Sequence, residues 1–138
     1  MQQKLILTIF LSLFLFVSSI FSQTTQEKRE MRKNVTVKEW NTQAGGNKRW
    51  MDHLTVYNPQ GLKIEEIEYA VYGQKERVVF EYDAKGVCVK EIVYDYKNRP
   101  YRIRKYEYNP NGTKKKQYNY LPNGKLYSVK NYEYITTD

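Results

Sequence analysis

Residues 101–121 read YRIRKYEYNPNGTKKKQYNYL. At their centre, Asn109-Pro110-Asn111-Gly112 places Asn, Pro and Gly at the first, second and fourth positions of a type I turn. A glycine at the fourth position can take the left-handed conformation that closes a three-residue hairpin loop with a bulge. Asn58-Pro59-Gln60-Gly61 fits equally well, and Asp83-Ala84-Lys85-Gly86 shares the Asn/Asp-x-x-Gly pattern. These corners are spaced 25 and 26 residues apart. Further turn signals fall between and after them, at Gly73-Gln74, at Lys97 to Pro100 and at Leu121-Pro122-Asn123-Gly124. A fixed period of this length marks an internal repeat, here of hairpins.

The segments between corners are rich in Tyr, Val and Ile, contain no interior proline and show no helical period. Aromatic and β-branched side chains suit a pleated surface. Strands are expected over about residues 50–58, 62–72, 75–83, 87–96, 101–109, 113–121 and 125–135, with Asn34 to Asn41 as an additional first strand. The expected fold is all-β: an antiparallel meander of seven to eight long strands from repeated hairpins, forming a single twisted or partly curled sheet. Aliphatic content in the second half is too low for a thick core. An outer-membrane barrel is excluded on composition, because Lys114-Lys115-Lys116-Gln117 would put charge or amide on any lipid-facing row.

If Asn109 pairs with Thr113, Tyr108 faces Lys114, Tyr106 faces Lys116 and Arg104 faces Tyr118. The same rule sets Tyr82 opposite Cys88, Val78 opposite Ile92 and Tyr120 opposite Leu126. Period-two alternation then gathers the even-numbered residues on one face. The candidate binding face is Arg102, Arg104, Tyr106, Tyr108, Lys114, Lys116, Tyr118, Tyr120, Lys130 and Tyr132, with cations interleaved among rings. A plainer reading of the same tyrosines is that they form the half-buried face of the sheet itself.

The unit Tyr-Asn/Asp-x-x-Gly, seen at Tyr82 to Gly86, at Tyr108 to Gly112 and, with Leu121 in the second position, at Tyr120 to Gly124, resembles the tyrosine-aspartate (YD, or RHS-type) repeats of secreted bacterial proteins. The resemblance covers about residues 57–134. It implies a repeating β-sheet scaffold outside the cytoplasm. Long arrays of this family form shells around a toxic cargo; this chain has too few repeats to enclose anything, and that role is not carried over.

Residues 1–22 have the organisation of a signal peptide: Lys4, an apolar run from Leu5 to Val17, and Ser18, Ser19 and Ser22 near a cut site. The apolar run is short for a membrane span, and no cysteine follows it to carry a lipid anchor. Residues 23–33 are expected to be a flexible leader and residues 34–138 a β-hairpin repeat domain. No transmembrane segment is expected in the mature chain, which should be secreted or periplasmic.

The formal net charge of +8 is unevenly spread. Leu62 to Asp95 holds eight acids against five bases, whereas Lys97 to Lys130 holds ten bases and one acid, Glu107. Such asymmetry favours an anionic partner, head-to-tail association or simple solubility. Cys88, the only cysteine, is open to pairing between molecules but is better read as a small buried hydrophobe.

Catalytic signals are weak. His53 is the only histidine and has no nucleophile motif near it. Neither it nor Cys88 has companions for a metal site, and no cofactor is called for. Glu65, Glu66 and Glu68 form the densest acid cluster, read by default as a solvated strand edge. The expectation is an exported, non-enzymatic structural or protein-interaction module acting through the Tyr-rich basic face. Its partner would be an envelope or extracellular protein, and self-association is open to it. The alternative is a carbohydrate- or polyanion-binding module using that face for an anionic or neutral glycan; a small hydrolase around Glu66 is a weaker reading. Nucleic acid is not an expected partner for an exported chain.

Overall fold

The computed structural model describes residues 27–137. The signal-peptide assignment over residues 1–22 lies outside the described residues. Eight strands follow one another as β1 (Thr36–Thr42), β2 (Arg49–Tyr57), β3 (Lys63–Ala70), β4 (Gly73–Tyr82), β5 (Cys88–Tyr94), β6 (Pro100–Tyr108), β7 (Lys114–Tyr120) and β8 (Leu126–Asn131). They make one sheet in chain order, each strand antiparallel to the next, with β1 and β8 as open edges. The meander expected from the corners is therefore the fold.

Five of the turns use one device. The amide N–H of Asn58 donates to the Leu62 carbonyl while that of Gly61 donates to the Asn58 carbonyl. The same pair of bonds recurs at Asp83–Val87, Asp95–Arg99, Asn109–Thr113 and Leu121–Lys125. In each turn the fourth residue has positive φ: Gly61, Gly86, Asn98, Gly112 and Gly124. Asn98 takes the glycine's place because asparagine tolerates the left-handed region better than other side chains. The turn before β6 therefore spans Asp95 to Asn98, two residues earlier than Lys97 to Pro100. Side-chain oxygens of Asn58, Asp83 and Asp95 each accept two amide N–H groups of their own turn, which explains the Asn/Asp preference at its head. Similarly, the β3–β4 corner turns on the exposed Val71 and Tyr72, and Gly73 already belongs to β4.

A tyrosine immediately precedes all five of these turns: Tyr57, Tyr82, Tyr94, Tyr108 and Tyr120. Each pairs normally with the residue just beyond the turn, namely Lys63, Cys88, Pro100, Lys114 and Leu126. The ladder then slips by one residue, leaving Ile64, Val89, Tyr101, Lys115 and Tyr127 as bulged extras. A one-residue slip exchanges the faces of everything beyond it. The sequence reading placed the bulge of the loop correctly but contained no second bulge.

Three hydroxyls tie alternate hairpins together. Tyr82 donates to the Lys63 carbonyl at 2.6 Å, Tyr108 to the Cys88 carbonyl, and Tyr134 to the Lys114 carbonyl at 2.8 Å. Each acceptor is the residue opposite the tyrosine of the preceding corner of the repeat. The period of 25–26 residues is thus the distance along the chain after which the next tyrosine reaches back to the last bulge.

Among the described residues no second layer covers the sheet. Among the described residues only Val93 is fully buried, and Thr55 is the one buried polar side chain. Stability therefore rests on cross-strand rows, each pair contributing about 0.2–1 kcal/mol. One row crosses seven strands as Val56, Glu65, Val79, Ile92, Ile103, Tyr120 and Leu126. This row, with Leu54 and Ile67, defines the aliphatic face. The opposite face carries Thr55, Val78, Phe80, Tyr82, Val93, Tyr106 and Tyr108 and is called the tyrosine face.

Of the leader expected over residues 23–33, the described residues 27–33 form one turn of helix followed by a hydrogen-bonded turn, seated on the β2–β3 corner. Asn34 donates its amide to the Asn58 carbonyl, and the Arg32 guanidinium lies 5.4 Å from the Tyr57 ring centre. Gly61 is buried beneath this segment, where a Cβ would collide with the Arg29 carbonyl oxygen. Nothing lies near a Cβ built at Gly112. Gly112→Ala should therefore cost only its left-handed backbone strain, about 1–3 kcal/mol in chemical denaturation. Gly61→Ala should cost more and release residues 27–33 to rapid trypsin cleavage; equal losses with unchanged cleavage would disprove the docking.

Candidate binding faces of the sheet

The slipped register divides the ten residues expected on one face. Tyr106 pairs with Gln117 rather than Lys116, Arg104 with Asn119 rather than Tyr118, and Val78 with Val93 rather than Ile92. Tyr108–Lys114, Tyr82–Cys88 and Tyr120–Leu126, which lie next to their turns, pair as expected. Arg102, Arg104, Tyr106, Tyr108, Lys114 and Lys130 thus share the tyrosine face. Tyr132 follows β8 and joins them, its hydroxyl 3.0 Å from the Gln117 amide oxygen. Lys116, Tyr118 and Tyr120 lie on the aliphatic face instead. The physical cause is the bulge at Lys115, which lengthens β7 by one residue against β6.

On the tyrosine face of β6–β8 the cations lie over rings. Lys114 Nζ is 4.0 Å from the Tyr106 ring centre, the Arg102 guanidinium 4.3 Å from that of Tyr127, and Lys130 Nζ 5.2 Å from that of Tyr132. Exposed contacts of this kind are worth about 0.5–1 kcal/mol each. Arg104 differs, because its guanidinium is 3.1 Å from the Glu91 carboxylate. Among the described residues Arg102, Lys114 and Lys130 have no carboxylate partner. Among the described residues the aliphatic face holds three more such cations, Lys38, Lys105 and Lys116, while its acids Glu65, Glu81 and Glu107 are held by Arg77, Lys90 and Lys115.

The hydroxyls of Tyr82, Tyr101, Tyr108, Tyr118, Tyr132 and Tyr134 are hydrogen-bonded within the chain. Burial, then the neighbouring Glu91 carboxylate, push Tyr106 far above the usual tyrosine range. Burial raises Tyr82 to about 12. On the other face Tyr118 donates to Glu107 at 2.8 Å, a bond that raises the phenol and, with Lys115, lowers the carboxylate. Rings held this way are structural parts of the sheet before they are ligand platforms. The most exposed aromatic rings in the second half, Tyr96, Tyr127 and Tyr134, are scattered over different strands and loops.

The acids of the first half gather at the opposite end of the tyrosine face. Glu39, His53, Glu68 and Glu76 are successive register partners across β1 to β4. His53, Glu66, Glu68, Glu76 and Val78 line a shallow depression of about 200 Å³. Glu66 and Glu68 share this face as expected, but Lys63 holds Glu66 at 2.7 Å and Lys75 holds Glu68 at 2.6 Å. Glu65, the third member of the sequence cluster, points to the other face and pairs with Arg77. Glu39 and Glu76 join the row only through the register, and nothing in their local sequence marked them. Among the described residues no group of three or more His, Cys, Asp or Glu is arranged to hold a metal ion. Cys88 is half-buried rather than in a core, and burial raises its thiol above the ordinary value.

No family model and no curated protein matches the sequence. Two solved structures align with 79% of this chain and 23% of theirs. One is a variant of S. aureus TarM crystallised with Fondaparinux, alpha-GlcNAc-glycerol and UDP, at 15% identity and a TM-score of 0.32. The other is TarM, at 16% identity and a TM-score of 0.29. The chain spans less than a quarter of either, and likeness at this level bears on neither fold nor activity. No described helix is long and apolar enough to cross a membrane.

The raised tyrosines link stability to pH. A phenol whose folded value exceeds the ordinary 10.0 stabilises the fold fully below that pH and loses its contribution as pH rises through about 12. Denaturation midpoints should hold to pH 10 and fall above it, in step with phenolate absorbance. Tyr82→Phe should cost about 1 kcal/mol at neutral pH through its lost bond to the Lys63 carbonyl. It should also lessen the alkaline fall, and an unchanged alkaline slope would show that Tyr82 is not the linked group.

Proposed function

We propose that this chain is an exported, non-enzymatic interaction module that meets an anionic partner through the tyrosine face of β6–β8. One observation carries this reading: Arg102, Lys114 and Lys130 lie on one face, over rings, with no carboxylate among the described residues to neutralise them. A cation over a ring keeps its charge and is held in place, so it can meet an incoming carboxylate, sulfate or phosphate with little further ordering. An acidic protein surface in the periplasm or beyond is the partner that suits an open sheet best, since flat faces fit other proteins more readily than small ligands. Stacking on a neutral sugar is a poorer fit, because Tyr106 and Tyr118 lie on opposite faces, with Lys114 over the Tyr106 ring and the Tyr118 hydroxyl bonded to Glu107.

The binding should be electrostatic and therefore sensitive to salt. The chain immobilised on a support should capture an envelope partner at low salt and release it at high salt. Arg102→Glu, Lys114→Glu and Lys130→Glu together should weaken capture by at least about tenfold. Lys105→Glu with Lys116→Glu, on the other face, should leave capture nearly unchanged. Capture that resists salt, or that depends on the second pair, would refute the assigned face.

A further inference from the structure

Resting on that reading, we infer that the anionic surface engaged by the β6–β8 cations is the tyrosine face of a second copy of this chain. The face is self-complementary. At one end β1 to β4 bear the row Glu39–His53–Glu68–Glu76. Glu68 and Glu76 stand directly opposite each other, a like-charge placement that costs stability within one sheet. Lys75 answers only Glu68; Glu76 accepts a hydroxyl from Tyr101, and Glu39 makes no ion pair among the described residues. At the other end Arg102, Lys114 and Lys130 lack acids. Between them Lys63–Glu66 and Arg104–Glu91 are already neutral pairs.

A two-fold axis lying between two such sheets brings β6–β8 of one copy over β1–β4 of its partner and makes the same contact twice, as an isologous interface requires. It also supplies the second layer that this sheet lacks, and layered packing is how sheets ordinarily bury a face. The aliphatic face cannot do this by charge. Its acids Glu65, Glu81 and Glu107 are held by Arg77, Lys90 and Lys115, and the cations it leaves over among the described residues, Lys38, Lys105 and Lys116, would repel their counterparts.

Sedimentation of the purified full chain tests the inference. The wild type should be a dimer at low salt, with self-affinity about tenfold weaker at high salt. Two charge-reversed variants separate charge from misfolding: one carries Arg102→Glu, Lys114→Glu and Lys130→Glu, the other Glu39→Lys, Glu68→Lys and Glu76→Lys. Each alone should be monomeric, because the charges its tyrosine face leaves outside the Lys63–Glu66 and Arg104–Glu91 pairs then repel those of a second copy, and the two mixed should form a one-to-one heterodimer. Recovery on mixing also proves that both variants are folded; should either fail to fold, the salt dependence of the wild type still decides. A wild type that is monomeric at low salt, or a dimer that survives in both variants, overturns the inference. If a monomeric wild type still captures an envelope partner in a salt-sensitive way, the binding module stands and the second copy falls. If it does neither, both fall.

Discussion

Every hairpin of the repeat depends on a bulge opposite a tyrosine. The left-handed residue at the turn sets the first bulge, and the slip one pair later sets the second. A bulge leaves backbone groups displaced from the regular ladder, and here the hydroxyl of the next repeat's tyrosine reaches the displaced carbonyl. The bond is short-range, yet it joins segments 19–20 residues apart, so each repeat is stabilised by its neighbour. This is how a repeat sheet holds together when no core can do so.

The same bulges produce the division of the surface. Because β7 gains a residue against β6, side chains that alternate regularly in sequence are redistributed between the two faces. Val56, Val79, Ile92 and Ile103 line up with Glu65 in one row across one face, while on the other the charges sort by sign, with Glu39, Glu68 and Glu76 at one end and Arg102, Lys114 and Lys130 at the other. A single-layer sheet exposes both faces at once, so this segregation is visible to any partner. The ion pairs on the aliphatic face close on themselves. Those on the tyrosine face leave residual charge of both signs.

The amino-terminal end adds a different solution to the same problem. Where an earlier repeat would lie against the β2–β3 corner, residues 27–33 pack on Gly61 and Arg32 covers Tyr57. Terminal caps of this kind protect the ends of repeat arrays. At the other edge Tyr134 anchors the chain after β8 to β7, whereas the outer side of β8 remains open and bears Lys130, a residue that discourages edge pairing.

Asn109 to Gly112 and its relatives determined the strand number, the antiparallel order and the turn geometry, because Asn or Asp at the first position and Gly at the fourth act through local hydrogen bonds and φ alone. The uneven charge along the chain was equally legible, being a property of composition. Which side chains share a face was not. That depended on a second bulge one pair beyond each turn, present at all five corners, and no local pattern at Lys115 or Val89 announces it. Face assignment by parity therefore held next to each turn, at Tyr108 and Lys114, and failed one pair beyond it. The docking of residues 27–33 and the row from Glu39 to Glu76 likewise exist only through contacts between distant segments, so tertiary structure alone decided them.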